Sequence, residues 1–195
     1  MKDDAHLIDE ALAGSTAAFG QLVERYQDRL FNTLVHIAGN AEDAQDIAQE
    51  AFVQAFLKLN TFQRSAAFYT WLYRIAFNLA VSQRRRRRPT SSLEHGRDLG
   101  CEDPVAPSTD PAASLEQQEL AAQVQAAMNN LSEEFRSVLV LREIDGHDYD
   151  TIAAMLDLPV GTVRSRLHRA RLQLKDLLQT LMLEDLPLKI HSANG

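Results

Sequence analysis

The chain has 195 residues, of which 45% are hydrophobic and 24% charged, as is ordinary for a soluble globular protein. Its apolar runs are far shorter than the roughly 20 residues that a membrane span needs, and its acidic start lacks the apolar stretch of a secretory signal. We therefore expect no membrane insertion and a cytoplasmic location. The single cysteine, Cys101, excludes an intramolecular disulfide framework and a metal site built on several cysteines.

The net charge is −7, which argues mildly against nucleic-acid binding, but the basic residues are clustered. Half of the 20 lysines and arginines fall in two short windows, residues 84–88 and 164–175. Clustered cations within neutral or acidic sequence favour local contact with a polyanion.

Apolar periodicity predicts four helices in the first half of the chain. They cover about residues 3–13, 16–38, 41–59 and 66–85. Ser15 or Thr16 is expected to cap the second helix, and Gly39 to end it. The residues expected to face inward are Phe19, Leu22, Val23, Tyr26, Leu30, Leu34, Ile37, Ile47, Ala48, Ala51, Phe52, Ala55, Phe56, Leu59, Phe68, Trp71, Leu72, Ile75 and Leu79. No strand-like alternation is found, so residues 1–88 are predicted to form an all-helical bundle.

Residues 89–115 are predicted to be a flexible acidic linker. They contain four of the six prolines, together with glycine, serine and mostly acidic charges, so they cannot bury enough apolar surface to fold alone. A second small helical domain, residues 116–183, and a frayed tail, residues 184–195, complete the predicted division.

The second half of the chain is predicted to hold four helices and a helix-turn-helix motif. The helices cover about residues 114–130, 132–144 (capped by Ser132), 149–156 and 161–181. On the last helix, Val163, Leu167, Ala170 and Leu174 form the inward stripe. The residues left outward are Thr162, Arg164, Ser165, His168, Arg169 and Arg171. Small or polar residues at the start of such a helix let it enter the DNA major groove, and arginines bind guanine or phosphate. A solvated basic face is the alternative, and the preceding short helix and turn favour DNA.

A second pattern is the row Asp43, Asp46 and Glu50, which the i, i+3, i+7 spacing places on one helix face opposite Ile47 and Phe52. An acidic row repels DNA and suits a basic protein partner, but charge spacing alone favours a solvated outer face. A metal site in a helical bundle would pair inward carboxylates with Glu-x-x-His motifs, and the sequence has none.

A third pattern places Tyr69, Tyr73 and Phe77 at every fourth residue, with Arg74 and Asn78 beside them. An aromatic and basic face can stack unpaired bases and hold a single strand. Each of these aromatic residues, taken singly, is explained about equally well as a part of the hydrophobic core. The arginines at 84–88 favour contact with phosphates over a solubilising tail.

Motifs of enzymes are absent from the sequence. It has no phosphate-binding glycine loop, no H-E-x-x-H and no G-x-S-x-G, and its six histidines lack ligand spacing. We expect no enzymatic activity, no cofactor and no bound metal.

Three segments together resemble a bacterial sigma factor of the extracytoplasmic-function (ECF) group, the two-domain branch of the sigma-70 family. They are 43–52, 68–76 and 159–171, and the resemblance covers about residues 10–180. It implies a sigma region 2 bundle at 1–88, a region 4 helix-turn-helix domain at 116–183, and a linker that runs through the polymerase cleft. The implied function is to direct core RNA polymerase to specific promoters, under the control of an anti-sigma factor.

The resemblance also implies roles for individual residues. The residues that dock on the β′ clamp helices of the polymerase are Asp43, Asp46, Gln49 and Glu50. The residues at the minus-ten element are Phe62, Trp71, Arg74, Asn78, Arg84, Arg85, Arg86, Arg87 and Arg88. The residues at the minus-thirty-five element are Thr162, Arg164, Ser165, His168, Arg169 and Arg171. Phe62 and Asn78 would receive a base flipped from the non-template strand. The implied partners are promoter DNA, an anti-sigma factor, and core polymerase through its β′ and β subunits.

Other functions fit parts of the sequence. An ordinary helix-turn-helix regulator explains residues 132–181, but gives no reason for the acidic row and the aromatic, arginine-rich segment to occur together. A second alternative is a helical adaptor or anti-sigma partner without a DNA role, for which replacing the arginines at 164 and 169 by alanine should leave the activity intact. A third is a metal-dependent enzyme, which predicts a bound metal that we expect to be absent.

Overall fold

The computed structural model describes residues 3–87 and 111–184, with side chains described for 3–84 and 119–181, and every regular element among them is helical. The α-helices of these residues are α1 (Asp4–Leu12), α2 (Thr16–Ala38), α3 (Ala41–Leu57), α4 (Phe68–Arg87), α5 (Pro111–Asn129), α6 (Glu133–Leu139), α7 (Tyr149–Leu156) and α8 (Val160–Glu184). We call α1 to α4 the first module and α5 to α8 the second module. The predicted all-α fold is confirmed.

Local capping explains where the helices of the first module begin and end. The hydroxyl of Ser15 accepts a hydrogen bond from the amide of Ala18 at 3.3 Å, which starts α2 as predicted. Gly39 ends α2 at φ +90°, where a residue with a side chain is strained. A Cβ atom at Gly39 would also lie 2.7 Å from Oδ1 of Asn129 in the second module, so the two modules approach closely at this turn.

The predicted inward stripes of the first module are largely buried. Fully or nearly fully buried members include Leu22, Leu30, Leu34 and Leu72. The prediction was wrong for Phe56, which is 43% exposed. Its ring lies edge-on against that of Phe19, at the rim of the core, with centroids 5.0 Å apart. The half-buried members are Val23, Tyr26, Trp71, Ile75 and Leu79.

The second module differs from its prediction at the start of α5 and at both ends of α6. α5 begins at Pro111, inside the predicted linker; the rest of that linker, Cys101 and the predicted tail after residue 184 lie outside the described residues. Ser132 makes no side-chain capping bond, because the amide of Phe135 is already bonded to the Ser132 carbonyl at 3.0 Å. The helix predicted to continue to Ile144 changes at Val140 into a π-helical turn.

A buried arginine holds the second module together and joins it to the first. Arg136 is 2% exposed, and no described carboxylate forms an ion pair with it. Its guanidinium instead donates to the main-chain carbonyls of Met128 (2.9 Å), Asn129 (2.7 Å) and Leu131 (3.2 Å), where α5 ends. It also donates to the carbonyl of Ile37 in α2 at 2.8 Å. Burial and, to a smaller extent, the positive charge of nearby Arg84 lower the pKa of Arg136 to about 10.

The two modules therefore form one body over the described residues. One cluster of buried side chains runs through both modules. α4 packs against α7, and α2 packs against α6 and the π-helical turn. Since α7 packs in turn against α8, the helix-turn-helix lies next to the first module.

Replacement of Arg136 by lysine tests this arrangement. The Arg136→Lys variant keeps the charge but cannot reach four carbonyls, so buried acceptors are left unpaired. We expect the free energy of unfolding in urea to fall by about 2–4 kcal/mol. The exposed change Arg169→Lys is the control and should stay within about 0.5 kcal/mol of the parent. Equal stability of the two variants would contradict the structural role of Arg136.

Candidate nucleic-acid and protein interfaces

α8 presents the predicted outward row to solvent. Arg164, Ser165, His168 and Arg169 are exposed, and Thr162 at the start of the helix is half-buried. The opposite side of the helix is the predicted inward stripe, Val163, Leu167, Ala170 and the half-buried Leu174. The faces of α8 therefore agree with the sequence prediction.

Short-range contacts fix α7 and α8 as a helix-turn-helix. The carboxylate of Asp148 accepts from the amide of Thr151 at 2.7 Å and caps α7, which lowers the pKa of Asp148. α7 ends at Asp157, which has the left-handed φ of +56°. The carbonyl of Pro159 then accepts from the amides of Thr162 (2.9 Å) and Val163 (3.1 Å), and α8 begins.

Two arginines of α8 are paired within the second module. Arg166 lies 2.9 Å from Glu134, and Nε of Arg171 donates to Glu143 at 3.0 Å. Arg171 therefore differs from its predicted companions Arg164 and Arg169, for which the structure shows no ion pair. The guanidinium of Arg164 lies 5.7 Å from the ring centre of Tyr149, the first residue of α7.

The predicted minus-ten residues divide between a loop and α4. Phe62 follows a short 3₁₀ turn, and its ring packs against those of Phe68 and Trp71, with centroids 5.9 and 5.2 Å away. Next to it, Arg64 adopts a left-handed φ of +54° and pairs with Asp9 of α1. The loop of Phe62 is thus held from two sides, by an aromatic cluster and by an ion pair.

Trp71, Arg74 and Asn78 share one face of α4, because they are spaced i, i+3 and i+7. Asn78 is exposed, Trp71 is half-buried, and Arg74 forms an ion pair of 3.2 Å with Asp157 of the second module. The face that carries Phe62, Trp71 and Asn78 is therefore partly open, while Arg74 is engaged by the neighbouring module.

Of the two interpretations that the sequence left open for Tyr69 and Tyr73, an exposed aromatic surface or membership of the core, the structure supports the second. Tyr69 is 4% exposed and Tyr73 is fully buried, and Phe77 stacks on Tyr73 with centroids 6.1 Å apart. Burial raises the pKa of Tyr73 well above its usual value, and the acids Asp145 and Glu133 of the second module raise it further. The second module therefore covers this face of α4, which sequence periodicity could not indicate.

Of the five arginines at residues 84–88, the structure describes the side chain of Arg84. Arg84 is half-buried and lines two small cavities between the modules, of about 230 and 420 Å³. It does not lie on an open surface as phosphate contact would require. The side chains of Arg85, Arg86, Arg87 and Arg88 lie outside the described part of the chain.

The acidic row of α3 is only partly continuous. Asp46, Gln49 and Glu50 are exposed. Asp43 is half-buried, because its amide bonds to the side chain of Asn40 at 2.8 Å and its carboxylate accepts from Asn40 at 2.9 Å. Asp43 thus belongs to the start of α3, and the solvent-facing part of the row begins at Asp46.

An apolar groove beside this row was missed by the sequence analysis. It lies between α2 and α3, has a volume of about 590 Å³, and has Phe31, Phe52 and Val53 among its walls, with Gln49 at its edge. Val53 is 52% exposed, and Leu57, one turn further, is 67% exposed. Apolar residues at 52, 53, 56 and 57 make a stripe wider than one buried helix face needs, which is the signal that could have revealed it.

A polar cluster between the modules was also missed. The hydroxyl of Thr33 donates to the carboxylate of Asp145 at 2.8 Å, and Arg29 donates to Nε2 of His147 at 3.1 Å. The rings of His147 and Tyr69 stack with centroids 6.3 Å apart. Burial raises the pKa of Asp145 and, together with the charge of Arg29, lowers that of His147. These residues are about 110 positions apart in the chain, so no local pattern connects them.

No helix in the described ranges is long and apolar enough to span a membrane. Among the same residues, no three of the histidine, cysteine, aspartate or glutamate side chains are grouped so that they could hold a metal ion.

Comparison with known proteins decides the family. The family descriptions "Sigma-70 region 2" and "Sigma-70, region 4" match residues 22–90 and 121–174. The RNA polymerase sigma-H factor of Pseudomonas aeruginosa is 37% identical over 188 residues, which cover 94% of this chain and 97% of that protein. The chain belongs to the sigma-70 family. Two further relatives of this sigma factor carry the ECF designation. They are the sigma factor SigW of Bacillus subtilis (34% identical; 89% of this chain and 96% of that protein) and the sigma-E factor of Escherichia coli K12 (35%; 92% and 96%).

Solved structures agree with this sigma factor in fold. The structure of CnrH in complex with the cytosolic domain of CnrY is similar with a TM-score of 0.65 at 30% identity, over 91% of this chain and 97% of that one. The sigma factor RpoE of Bartonella quintana, in complex with the anti-sigma factor NepR, has a TM-score of 0.60 at 24% identity, over 83% and 96%. The resemblance to an ECF sigma factor is thereby confirmed, while the roles of individual residues and the exact domain limits stay predictions.

The polar cluster predicts a pH dependence of stability. His147 is neutral when it accepts from Arg29, and its pKa in the folded chain lies below the ordinary 6.5. As the pH falls through 6.5, the unfolded chain takes up this proton first, so the free energy of unfolding should decline, by at most about 1.4 kcal/mol per pH unit. Asp145 has the opposite effect. Because its pKa is raised above 3.8 in the folded chain, the folded chain takes up this proton first as the pH falls, which increases the free energy of unfolding in that more acidic range.

Urea unfolding of the parent and of His147→Gln at pH 5.5 and 7.5 isolates this effect. Glutamine can still accept from Arg29 but does not titrate, so the variant should lose less stability than the parent on acidification. An equal loss in both proteins would contradict the assignment to His147.

Proposed function

We propose that this sigma factor directs core RNA polymerase to specific promoters, with the two modules reading the two promoter elements and with no bond chemistry of its own. The observation that carries the proposal is the exposed row on α8, held by a capped helix-turn-helix whose inward stripe is fully used in packing. Arg164 and Arg169 project from this row without an ion-pair partner in the structure, so they are available for guanine or phosphate. We assign this row to the minus-thirty-five element.

The first module supplies the contact with the minus-ten element. Phe62, Trp71 and Asn78 lie along one side of α4 and the loop before it, and they combine aromatic surface with an amide. Such a set can accept an unstacked base and hold it by hydrogen bonds, for which unstacking costs a few kcal/mol. Arg74 becomes available to the DNA once its ion pair with Asp157 is broken.

The α3 surface fits a basic protein helix. The apolar groove is lined by Gln49 of α3 and Asp28 of α2, and Asp46 and Glu50 are exposed nearby on α3. Such a surface can bury the apolar stripe of a helix and pair its cationic edge, as helix-in-groove recognition requires. We assign this surface to the clamp helices of the β′ subunit. The bound polymerase then presents both modules to DNA at once, so that two weak contacts act as one strong one.

The cellular setting follows from the same assignment. Because promoters and polymerase are cytoplasmic in bacteria, we place the protein in the cytoplasm. Two solved structures of similar proteins are complexes with a second protein, one of them titled an anti-sigma factor. This supports control of the present chain by an anti-sigma factor that covers the module surfaces.

Reconstituted transcription tests the proposal. Purified chain is mixed with bacterial core polymerase and genomic DNA fragments, and start sites are mapped by run-off sequencing. The proposal expects a reproducible set of starts that appears only with the chain. If no complex forms with core polymerase and no transcript depends on the chain, the proposal is wrong.

Charge reversal on α3 tests the polymerase surface. We expect Asp46→Lys to weaken binding of the chain to core polymerase by roughly tenfold, because a lysine there opposes a basic partner. The matched control is Asp150→Lys on α7, an exposed position in the second module, which makes the same substitution away from the groove and should bind as the parent does. Similar loss in both variants would point to net charge and would contradict this docking surface.

Truncation on α8 tests the DNA-reading row. Arg164→Ala and Arg169→Ala should each weaken promoter binding by the holoenzyme by about 1–3 kcal/mol while leaving its assembly unchanged. Lys175→Ala, exposed two turns further along α8, removes the same charge and is the control. Promoter selection that is insensitive to both arginine changes would refute the minus-thirty-five assignment.

A further inference from the structure

The loop that follows Phe62 contains an arginine in a backbone conformation that arginine rarely adopts. Arg64 has a φ of +54°, in the left-handed region. In the described part of the chain, the one other residue besides glycine with a positive φ is Asp157, and aspartate tolerates that region because its short side chain can bond locally. Arginine has no such compensation, whereas glycine would adopt the conformation without steric cost. A contact of the Arg64 side chain must therefore hold this turn.

That contact is a bidentate ion pair with Asp9 of α1. Nη1 of Arg64 donates to Oδ2 of Asp9 at 3.4 Å, and Nη2 donates to Oδ1. These hydrogen bonds lower the pKa of Asp9 and raise that of Arg64. Among residues 63–67, which the structure describes in full, Arg64 is the one whose side chain forms a hydrogen bond. The polar contacts of this loop therefore lead to α1.

α1 is held firmly enough to act as a fixed support for the loop. Leu7 and Ile8 are buried in the core, and the helix packs against α2 and against the 3₁₀ turn before Phe62. One turn before Asp9, the carboxylate of Asp4 accepts hydrogen bonds from Arg25 and from the hydroxyl of Tyr26 in α2. Asp9 is thus presented to the loop by a helix that is itself tied to the first module.

The aromatic cluster holds the loop at the Phe62 end. The ring of Phe68, the first residue of α4, lies 5.9 Å from those of Phe62 and Trp71 and 5.6 Å from that of Tyr26, measured between centroids. Tyr26 therefore contacts the cluster through its ring and α1 through its hydroxyl. The cluster fixes the ring of Phe62, while the course of the chain after Phe62 depends on the ion pair.

We propose that Asp9 is a positioning residue for minus-ten recognition: by pairing with Arg64 it keeps the loop after Phe62 in its left-handed turn, and this turn sets how strictly one base is accepted beside Phe62. The inference rests on the proposed function, because it takes Phe62 as a contact of the unstacked base. A relaxed loop would still offer the Phe62 ring for stacking, which tolerates any base, but it would lose the fixed shape that distinguishes one base from another.

The pair is exposed, so its effect should depend on salt. The side chains of Arg64 and Asp9 are 44% and 60% exposed. Salt screens such charges, with a Debye length of about 3 Å at 1 M. High salt should therefore loosen the loop in the parent, and it should have no such effect in a variant that lacks the pair.

Trp71 reports the state of the loop in the free, full-length chain. It is the only tryptophan in the sequence, it is half-buried, and its ring lies 5.2 Å from that of Phe62. Quenching of its fluorescence by acrylamide measures how well the loop covers it. The test variant is Asp9→Ala, which removes both acceptors and favours the helix, so that α1 should persist. The matched control is Asp176→Ala, the same change at an exposed position on α8.

We expect Asp9→Ala to raise the quenching constant by roughly twofold, because a loop without its tie opens locally, and we expect the control to match the parent. Sodium chloride at 1 M should raise the constant in the parent and leave that of Asp9→Ala unchanged. In an Arg64→Gly background, where the turn is unstrained, Asp9→Ala should add nothing.

The second readout uses the holoenzyme and a promoter fragment recovered by the run-off mapping. Each position of its minus-ten element is changed to all four bases, and the formation of open complexes is measured for each fragment. We expect Asp9→Ala to reduce the preference at the most selective position by roughly threefold, the size of effect that an exposed bidentate pair can supply. Binding of core polymerase should be equal in the parent, Asp9→Ala and the control.

The outcomes separate this inference from the proposed function. Equal quenching in Asp9→Ala and the control would show that the pair does not hold the loop and would overturn the inference. A base preference in Asp9→Ala equal to that of the control would refute the positioning role, even with increased quenching. Tighter binding to every fragment alike would show that the released Arg64 contacts phosphate, which also contradicts it. If the parent itself supports no transcript, the proposed function fails, and the role of Asp9 in promoter recognition fails with it.

Discussion

The buried guanidinium of Arg136 is the contact on which the arrangement of this sigma factor depends. A buried cation without an ion pair is costly unless its donors are satisfied, and here main-chain carbonyls at the end of α5 and of α2 satisfy them. Both helix ends carry partial negative charge from unpaired carbonyls, which a cation neutralises. One side chain therefore ends α5, orients α6 and fixes the distance between the modules.

The interior of each module is apolar and well packed, whereas the boundary between the modules is polar and less completely packed. Within the modules, leucine and alanine stripes pack, and every described buried side-chain polar atom away from the boundary has a hydrogen-bond partner. At the boundary, the structure has charged and hydroxyl side chains, two cavities and unpaired polar atoms. Such a boundary can be specific without being strong, because hydrogen bonds fix the geometry while imperfect packing keeps the free energy of separation small.

The sequence revealed most of what local patterns determine. Periodicity and caps located α2, α3 and α7 within about two residues, and they separated the outward and inward faces of α8. The capping bond expected of Ser132 is absent, which side-chain type alone does not disclose. The burial of the α4 face at Tyr69 and Tyr73 could not be predicted. α4 packs against other helices on two sides, α3 and α7, and no local pattern in the sequence indicates that α7 is one of them.

The most direct test of this account is the distance between the modules before and after assembly with polymerase. Spin labels at positions 21 and 179, in a chain that lacks Cys101, give that distance by double electron–electron resonance. The account predicts one short distance in the free chain and a distance longer by several tens of ångströms in the holoenzyme, as two separated promoter elements require. The same distance in both samples would contradict it.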